Sequence, residues 1–345
     1  MRAVVLAGVG DVRLEEVPDP QLLEPTDAIV RVSAAAICGA DLFPLHGLTP
    51  GFENGTVMGH EFAGVVVDKG DAVAGVDVGQ RVTNTSMVAD GTCPACRAGL
   101  TTQCSGRALF GYSGVYPRLD GGQAELVRVP HADRVLAPLP NAVPDEAAVF
   151  LSDNLPTAYD AVVARGGVGE GDLVCVVGLG AVGLMAVMCA VHAGARVLAV
   201  DGVEARRATA ERLGAEAVTP EDALEAVAAR SAGLGGADVV VEAAGSPGAL
   251  HAALRLARGR GTVSVVGAHF EPDFPLDNHL MFERELTLRF SIGDAAGHRA
   301  TLLDLISAGR LDPASVVSHR MPLAEAADAY RLFDAREATK VVMTP

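Results

Sequence analysis

Tryptophan is absent, Lys69 and Lys340 are the only lysines, and no basic run occurs anywhere in the 345 residues. With a net charge of −16 there is no cationic face for the phosphates of a nucleic acid or for an anionic membrane. Aromatic residues make up only 4% of the chain, which argues against a large aromatic-lined pocket. The N-terminal stretch MRAVVLAGVGDVRLEE reaches Asp11 too soon for the apolar core of a signal peptide, so the chain is expected to be cytoplasmic. The uncharged run from Leu173 to Val191 has membrane length. Its β-branched first half and its glycines at turn spacing predict instead a buried parallel strand followed by a packed helix. No internal repeat or low-complexity segment is visible.

What is present points to a globular α/β protein. Half the residues are hydrophobic and a fifth are charged, and the length suffices for two cores. Up to about residue 150 the chain reads as short β segments (RAVVL, AIVRVSA, FAGVVVD, QRVTNTS, AELVRVP) cut by Gly, Pro and Asp turns. From about residue 155, strands (LVCVV, ARVLAV, AEAV, ADVVVEA, TVSVVG) alternate with helical periodicity (AVGLMAVMCAVHAG, VEARRATAERLG, EDALEAVAARSAG, SPGALHAALRLARG). That alternation predicts a doubly wound parallel sheet with right-handed crossovers from about residue 155. The tail after about 293 reads as two helices and a final strand, KVVMTP.

The strand DLVCVV runs into Gly178-Leu-Gly180-Ala181-Val182-Gly183 and then into a helix, with Asp201 closing the next strand. A lone GxGxxG is weak evidence; with strand, helix and acidic residue in place it is a dinucleotide site. Gly178 permits the turn, Gly180 lets the backbone approach a pyrophosphate, and Gly183 lets helix and strand pack closely. The free N–H groups of the helix start meet the phosphates. Asp201 would accept the ribose hydroxyls and repel a 2′-phosphate, and residues 202 and 203 are Gly and Val, so NAD is favoured over NADP. Arg206 completes the cofactor-binding candidates. The bland alternative is a structural glycine turn with a solvated aspartate.

Six cysteines are present, of which Cys93, Cys96 and Cys104 fall within twelve residues. Clusters of this kind in a cytosolic chain bind metal more often than they form disulfides. Cys175 and Cys189 lie inside apolar runs and read as core residues. Cys38 opens CGAD, His60 and Glu61 stand together in GHEF, and Asp153 follows in FLSDN. A thiolate, an imidazole and a carboxylate suit zinc, with a fourth position left for substrate. Taken singly, His60 and Cys38 would more often be core residues.

Cys38-Gly39-x-Asp41, Gly59-His60-Glu61 and the glycine motif together resemble the zinc-dependent alcohol dehydrogenases of the medium-chain dehydrogenase/reductase superfamily. GGQAELVRVPHAD at 121–133 is similar to a stretch of the polyol, threonine and formaldehyde dehydrogenase branches. The resemblance spans essentially the whole chain. It implies a GroES-like β-rich catalytic domain over 1–153, with 294–345 returning to it, and a Rossmann NAD-binding domain over 154–293. It also implies a zinc-dependent hydride transfer between an alcohol (or a polyol or amino alcohol) and NAD(H).

Residue by residue, the resemblance makes Cys38, His60 and Asp153 ligands of the catalytic zinc. Glu61 is then able to enter the coordination shell, and Asp41 orients His60. It puts Thr157 near the nicotinamide and Lys340 near the pyrophosphate. Cys93, Cys96 and Cys104 match three ligands of the family's structural zinc lobe, while the fourth position is Asp90. An Asp–Cys₃ zinc site and a lobe without metal both stand, the otherwise exposed thiols favouring zinc. The implied partners are a small-molecule alcohol or carbonyl substrate and further copies of the chain, as a homotetramer or homodimer.

Two departures concern the proton path. Where many relatives carry a hydroxyl and a histidine, this chain has Ala40 and Phe43, neither of which moves a proton. His46 is the nearest replacement, beside the reading of a surface histidine or a path through water or a substrate hydroxyl. Competing functions are a zinc-free quinone reductase-like protein of the same superfamily, against which Cys38, His60 and Glu61 argue, and a catalytically silent nucleotide-binding protein. No tyrosine is followed four residues on by lysine, as a short-chain dehydrogenase requires.

Overall fold

The computed structural model describes residues 1–269 and 276–345. The chain divides into two units, Met1–Asp153 with Asp294–Pro345, and Asn154–Gly293.

In the first unit the strand Ala28–Ala36 is the hub, pairing antiparallel with Glu61–Lys69, Leu126–Val129 and Val341–Thr344. Small and β-branched residues suit it to a strand buried on both faces, and seven of its nine residues are buried. Phe62 and Phe110 meet edge to face at 5.2 Å in the core beneath it, among Val30, Val32, Val66 and Val127. Each such buried ring stabilises the fold by roughly 1.5–3 kcal/mol relative to exposure. A second core joins Leu6 and Ile37 to Tyr330 of the helix Ala326–Asp334 and Met343 of the last strand.

Strand register sets the position of the site. Ala36 pairs with both Glu61 and Val342, so Cys38, His60 and Lys340, each one or two residues beyond these partners, meet at one end of the sheet.

The second unit is a six-stranded sheet in the order Glu216–Val218, Arg196–Val200, Leu173–Val177, Ala237–Glu242, Ala257–Val265, Thr287–Phe290. Every neighbouring pair is parallel. The strand order reverses beside Leu173–Val177, the strand that leads into the glycine motif, which is where ligands of open α/β sheets bind. The uncharged run of the sequence divides into the fully buried strand Leu173–Val177 and the helix Ala181–His192, buried throughout Gly183–Ala190. Among the described residues no helix is long and apolar enough to cross a membrane.

Two details differ from the sequence reading. The helix expected to run through ALHAALRLARG ends at Leu256, and ARGRG opens the strand Ala257–Val265. Two glycines, and Arg260 at φ 59°, do not suit a helix interior. The strands Thr287–Phe290 and His319–Pro322 carry too many polar residues to announce themselves, and both lie at sheet edges where one flank needs no apolar cover.

Candidate active site

Cys38 follows the hub strand and opens a 3-10 turn, Gly39–Asp41, whose Asp41 folds back so that Oδ2 accepts the Cys38 N–H at 2.9 Å. His60 precedes the strand that Glu61 begins, and Asp153 follows the turn Val149–Ser152. The segments bring Cys38, His60, Glu61 and Asp153 together with one donor atom each inside 4.8 Å. Cys38 Sγ lies 3.6 Å and His60 Nε2 3.2 Å from Asp153 Oδ2. Behind the ring, Nδ1 faces Asp41 Oδ1 at 3.2 Å, near enough for an ion pair though not aligned as a hydrogen bond. His60, Glu61 and Asp41 are buried, whereas the Asp153 side chain is 23% exposed and marks the open side of the cluster.

The electrostatics are those of a place that wants a cation. Burial and the charge of Glu61 push the Cys38 thiol up, and burial pushes Glu61 up. Burial would lower His60, but Asp41 and Cys38 raise it well above its ordinary value. Burial would raise Asp153, yet His60 holds it down. Glu61 Oε1 is buried with no hydrogen-bond partner, and such an acceptor needs a positive charge near it. Thiol, imidazole and carboxylate at this spacing fit zinc.

Lys340, fully buried, donates from Nζ to Glu61 Oε2 and lies 5.5 Å from the Phe150 ring centre. Burial would lower its pKa; Glu61 outweighs it and the ammonium stays charged. Sequence reasoning drew no link between Lys340 and Glu61, which are 279 positions apart. The carbonyl of Ala40 accepts the Tyr112 hydroxyl. His46 is half exposed and pairs with Asp334 at 2.8 Å, outside the four-residue cluster. Asn84 is a buried support that sequence reasoning missed. Its Nδ2 donates to the His60 carbonyl at 2.9 Å, and its Oδ1 accepts from Phe62 N and Ser152 Oγ at 3.1 and 2.6 Å.

Asp90, Cys93, Cys96 and Cys104 form the second cluster with donor atoms within 4.8 Å. Asp90 Oδ1 accepts from Thr92 N and Cys93 N at 2.6 and 2.9 Å, bonds that hold the carboxyl well below the usual range. The sulfurs accept backbone N–H groups as well, Cys96 N to Cys93 Sγ at 3.5 Å and Asp90 N to Cys104 Sγ at 3.4 Å. Backbone N–H groups of Cys96 and Ser105 lower Cys93 to about 6, while burial lifts Cys96 to about 12. A loop already turned so that three sulfurs and a carboxylate converge fits a closed four-ligand zinc site.

In the second unit Gly180 caps the helix Ala181–His192, and a Cβ built on it would meet nothing within 4 Å, the open space a ligand needs. Gly183 is the opposite case: a Cβ there would lie 1.9 Å from the Gly178 carbonyl oxygen, so only glycine fits. Ala181 and Val182 form the first turn. Asp201 accepts Leu179 N at Oδ2 and Val203 N at Oδ1, both at 2.7 Å, which ties the glycine loop to the next strand. The helix Glu204–Arg212 then returns two arginines to it: Arg206 Nη1 lies 3.9 Å from Asp201 Oδ2, and Arg207 donates to the Asp201 carbonyl at 2.8 Å. Thr157 is buried in the helix Asn154–Tyr159, close against Gly293.

Residues 24–141 match the family described as "Alcohol dehydrogenase GroES-like domain", and residues 181–308 the family described as "Zinc-binding dehydrogenase". The chain is 39% identical over 343 residues to the "Probable zinc-binding alcohol dehydrogenase" of Mycobacterium tuberculosis, covering 99% of this chain and 87% of that protein. Among solved structures, an alcohol dehydrogenase of Thermus sp. ATN1 superposes with a TM-score of 0.95 at 38% identity, covering 100% and 99% of the two chains. A zinc-binding dehydrogenase of Sinorhizobium meliloti, solved bound to NADP, superposes at 0.87 with 32% identity, covering 100% and 99%.

Proposed function

The chain belongs to the zinc-dependent alcohol dehydrogenases of the medium-chain dehydrogenase/reductase superfamily and is an oxidoreductase of small-molecule alcohols; within that activity we propose that it uses NAD, with zinc held by Cys38, His60 and Asp153. The observation that carries the reading is the convergence of the Cys38, His60, Glu61 and Asp153 donor atoms inside 4.8 Å.

Zinc held at this centre by Cys38, His60 and Asp153 would supply Lewis acidity toward an alcohol oxygen, and a bound nicotinamide would be the hydride acceptor. The chain's own residues prepare the place. Asp41 Oδ1, 3.2 Å from His60 Nδ1, would favour the tautomer with its proton there, which would leave the Nε2 lone pair for a metal. Asp153, on the exposed side, is the ligand beside which an alcohol enters. Glu61, its Oε2 already engaged by Lys340, keeps Oε1 in the cluster, where it could enter the shell of a bound metal. With Ala40 and Phe43 at the usual relay positions, the proton leaves through water or a hydroxyl of the substrate itself. The second cluster, Asp90, Cys93, Cys96 and Cys104, takes a structural zinc, since four protein ligands leave no place for substrate.

Asp201 supports NAD over NADP, because a 2′-phosphate would be brought against its carboxylate. Arg206 and Arg207 soften that repulsion without removing it. Replacing Asp201 by Asn, which keeps an acceptor for one loop amide, raises kcat/KM for NADP relative to NAD by about 5- to 30-fold, the worth of one unfavourable charge contact of about 1–2 kcal/mol. An unchanged ratio in steady-state assays would remove Asp201 from cofactor choice. A homo-oligomer of cytoplasmic location completes the proposal, supported by exposed Phe282, Phe290 and Ile292 around the sheet-edge strand Thr287–Phe290.

The deciding experiment is NAD-linked turnover across polyols, amino alcohols and simple secondary alcohols, with metal analysis and light-scattering mass on the same preparation. Two zinc ions per chain, loss of activity on chelation, and a mass that is a multiple of 35.3 kDa are expected. Cofactor binding without zinc or turnover would instead identify a silent nucleotide-binding protein.

A further inference from the structure

We infer that Gln123, held in turn by Tyr330, is a positioning residue for the metal-ligating ring of His60. The inference rests on the reading of Cys38, His60 and Asp153 as a zinc centre.

A buried chain of polar groups runs from the C-terminal helix to that ring. Tyr330 OH lies 2.8 Å from Gln123 Oε1. Gln123 Nε2 lies 3.1 Å from the Ala36 carbonyl oxygen and 3.4 Å from Asp41 Oδ2. Asp41 Oδ1 faces His60 Nδ1 at 3.2 Å. None of these four side chains is more than 2% exposed.

The direction of every contact is fixed by what each atom can do. The Ala36 carbonyl and the Asp41 carboxylate only accept, so the amide nitrogen of Gln123 must face them and its oxygen must face Tyr330. The Tyr330 hydroxyl is therefore the donor. At the far end Nδ1 of His60 faces Asp41 Oδ1 and Nε2 lies 3.2 Å from Asp153 Oδ2; with a metal on Nε2 the ring proton would be on Nδ1, toward Asp41. Without Gln123, Asp41 Oδ2 keeps only the Cys38 N–H as an anchor, and the carboxylate plane that aims Oδ1 at the ring is less well fixed.

The backbone is shaped to admit this amide. Gly59, immediately before His60, has φ +92°, and a Cβ on it would lie 2.3 Å from Gln123 Cγ. Gln123 N also donates to the Met58 carbonyl at 2.9 Å, so the GHE and GGQ segments are joined side by side. Hydrogen-bonded groups behind a metal-ligating histidine typically change metal affinity by about 10–100-fold when removed.

The test uses the full chain, stripped of metal, titrated with zinc against a chromophoric chelator and separately with Co(II) followed in the visible spectrum. Gln123→Met keeps the volume and removes the amide; Tyr330→Phe removes one hydroxyl. Zinc affinity at the Cys38 centre is expected to fall by about 10–100-fold in Gln123→Met and by less in Tyr330→Phe. The Co(II) bands of that centre shift in the same order. Affinity at Asp90–Cys93–Cys96–Cys104 stays put in both variants, which a general loss of packing would not allow, whereas the melting temperature of the metal-free Gln123→Met protein falls because Tyr330, Ala36 and Asp41 lose a buried partner.

Unchanged affinity and Co(II) spectra in both variants overturn the inference. Should Gln123→Met fail to fold, Tyr330→Phe decides alone, weakened binding supporting the role and wild-type binding refuting it. A wild-type chain that takes no metal at Cys38 refutes the underlying zinc reading instead, and this is read from the parent before any variant.

Discussion

Cys38→Ser lowers kcat/KM by at least about 10³-fold, a loss of about 4 kcal/mol of transition-state stabilisation, and removes one of the two expected zinc ions. A serine hydroxyl is too weakly acidic to replace a thiolate as a metal ligand, and His60 and Asp153, even with Glu61 drawn in, would hold the ion far more weakly without the sulfur. The fold should survive. Position 38 anchors Asp41 through its backbone N–H, which serine retains, and the side chain sits at the end of a strand rather than within a packed cluster. Zinc content by elemental analysis and turnover with the best alcohol of the panel check both halves. Wild-type activity at full zinc content would refute the role given to Cys38. One zinc lost with activity intact would show that the metal there is not catalytic.

Lys340→Met is expected to be the most destabilising single change in the site region, costing about 3–5 kcal/mol because it leaves the Glu61 carboxylate buried without its cation. For a folding unit of this size that corresponds to a fall in melting temperature of about 10 °C. Methionine fills the space of the lysine stem against Phe150, so the cost arises from charge rather than from a cavity. The double variant Lys340→Met/Glu61→Gln should recover most of the loss, since neither group then carries charge. Thermal and guanidinium unfolding of wild type, single and double variants form a cycle that isolates the pair. A single variant as stable as wild type would mean that the ion pair is not what holds Lys340 inside. The same cycle bears on cofactor contacts: a lysine whose ammonium is spent on Glu61 should change cofactor KM less than it changes stability.

The strand–helix alternation after residue 155 is local information: each element buries one stripe or both faces, so its period appears in its own residues. Hence the parallel sheet, the glycine loop between its strand and helix and the closing Asp201 were legible before any coordinates, while the strand order that puts the loop at a reversal was not. The short polar strands Thr287–Phe290 and His319–Pro322 were not, because an edge strand borrows its identity from a neighbour. In the site, Cys38, His60, Glu61, Asp153 and the four residues from Asp90 to Cys104 could be named from residue chemistry and family motifs.

Which side chain answers which is set by the packed chain alone. Nothing near Lys340 in sequence announces Glu61, and nothing near Tyr330 announces Gln123, 207 positions away. The arginines absent from positions 202 and 203 return to Asp201 one helical turn later as Arg206 and Arg207. His46, close to Cys38 along the chain, is turned to Asp334 at the surface. The folding pattern, the family and the candidate metal donors could be read from the order of the residues, because these depend on periodicity and on short, chemically distinctive segments. The partners of buried charges and amides were set by strand register and helix docking, which bring together residues hundreds of positions apart and leave no local trace.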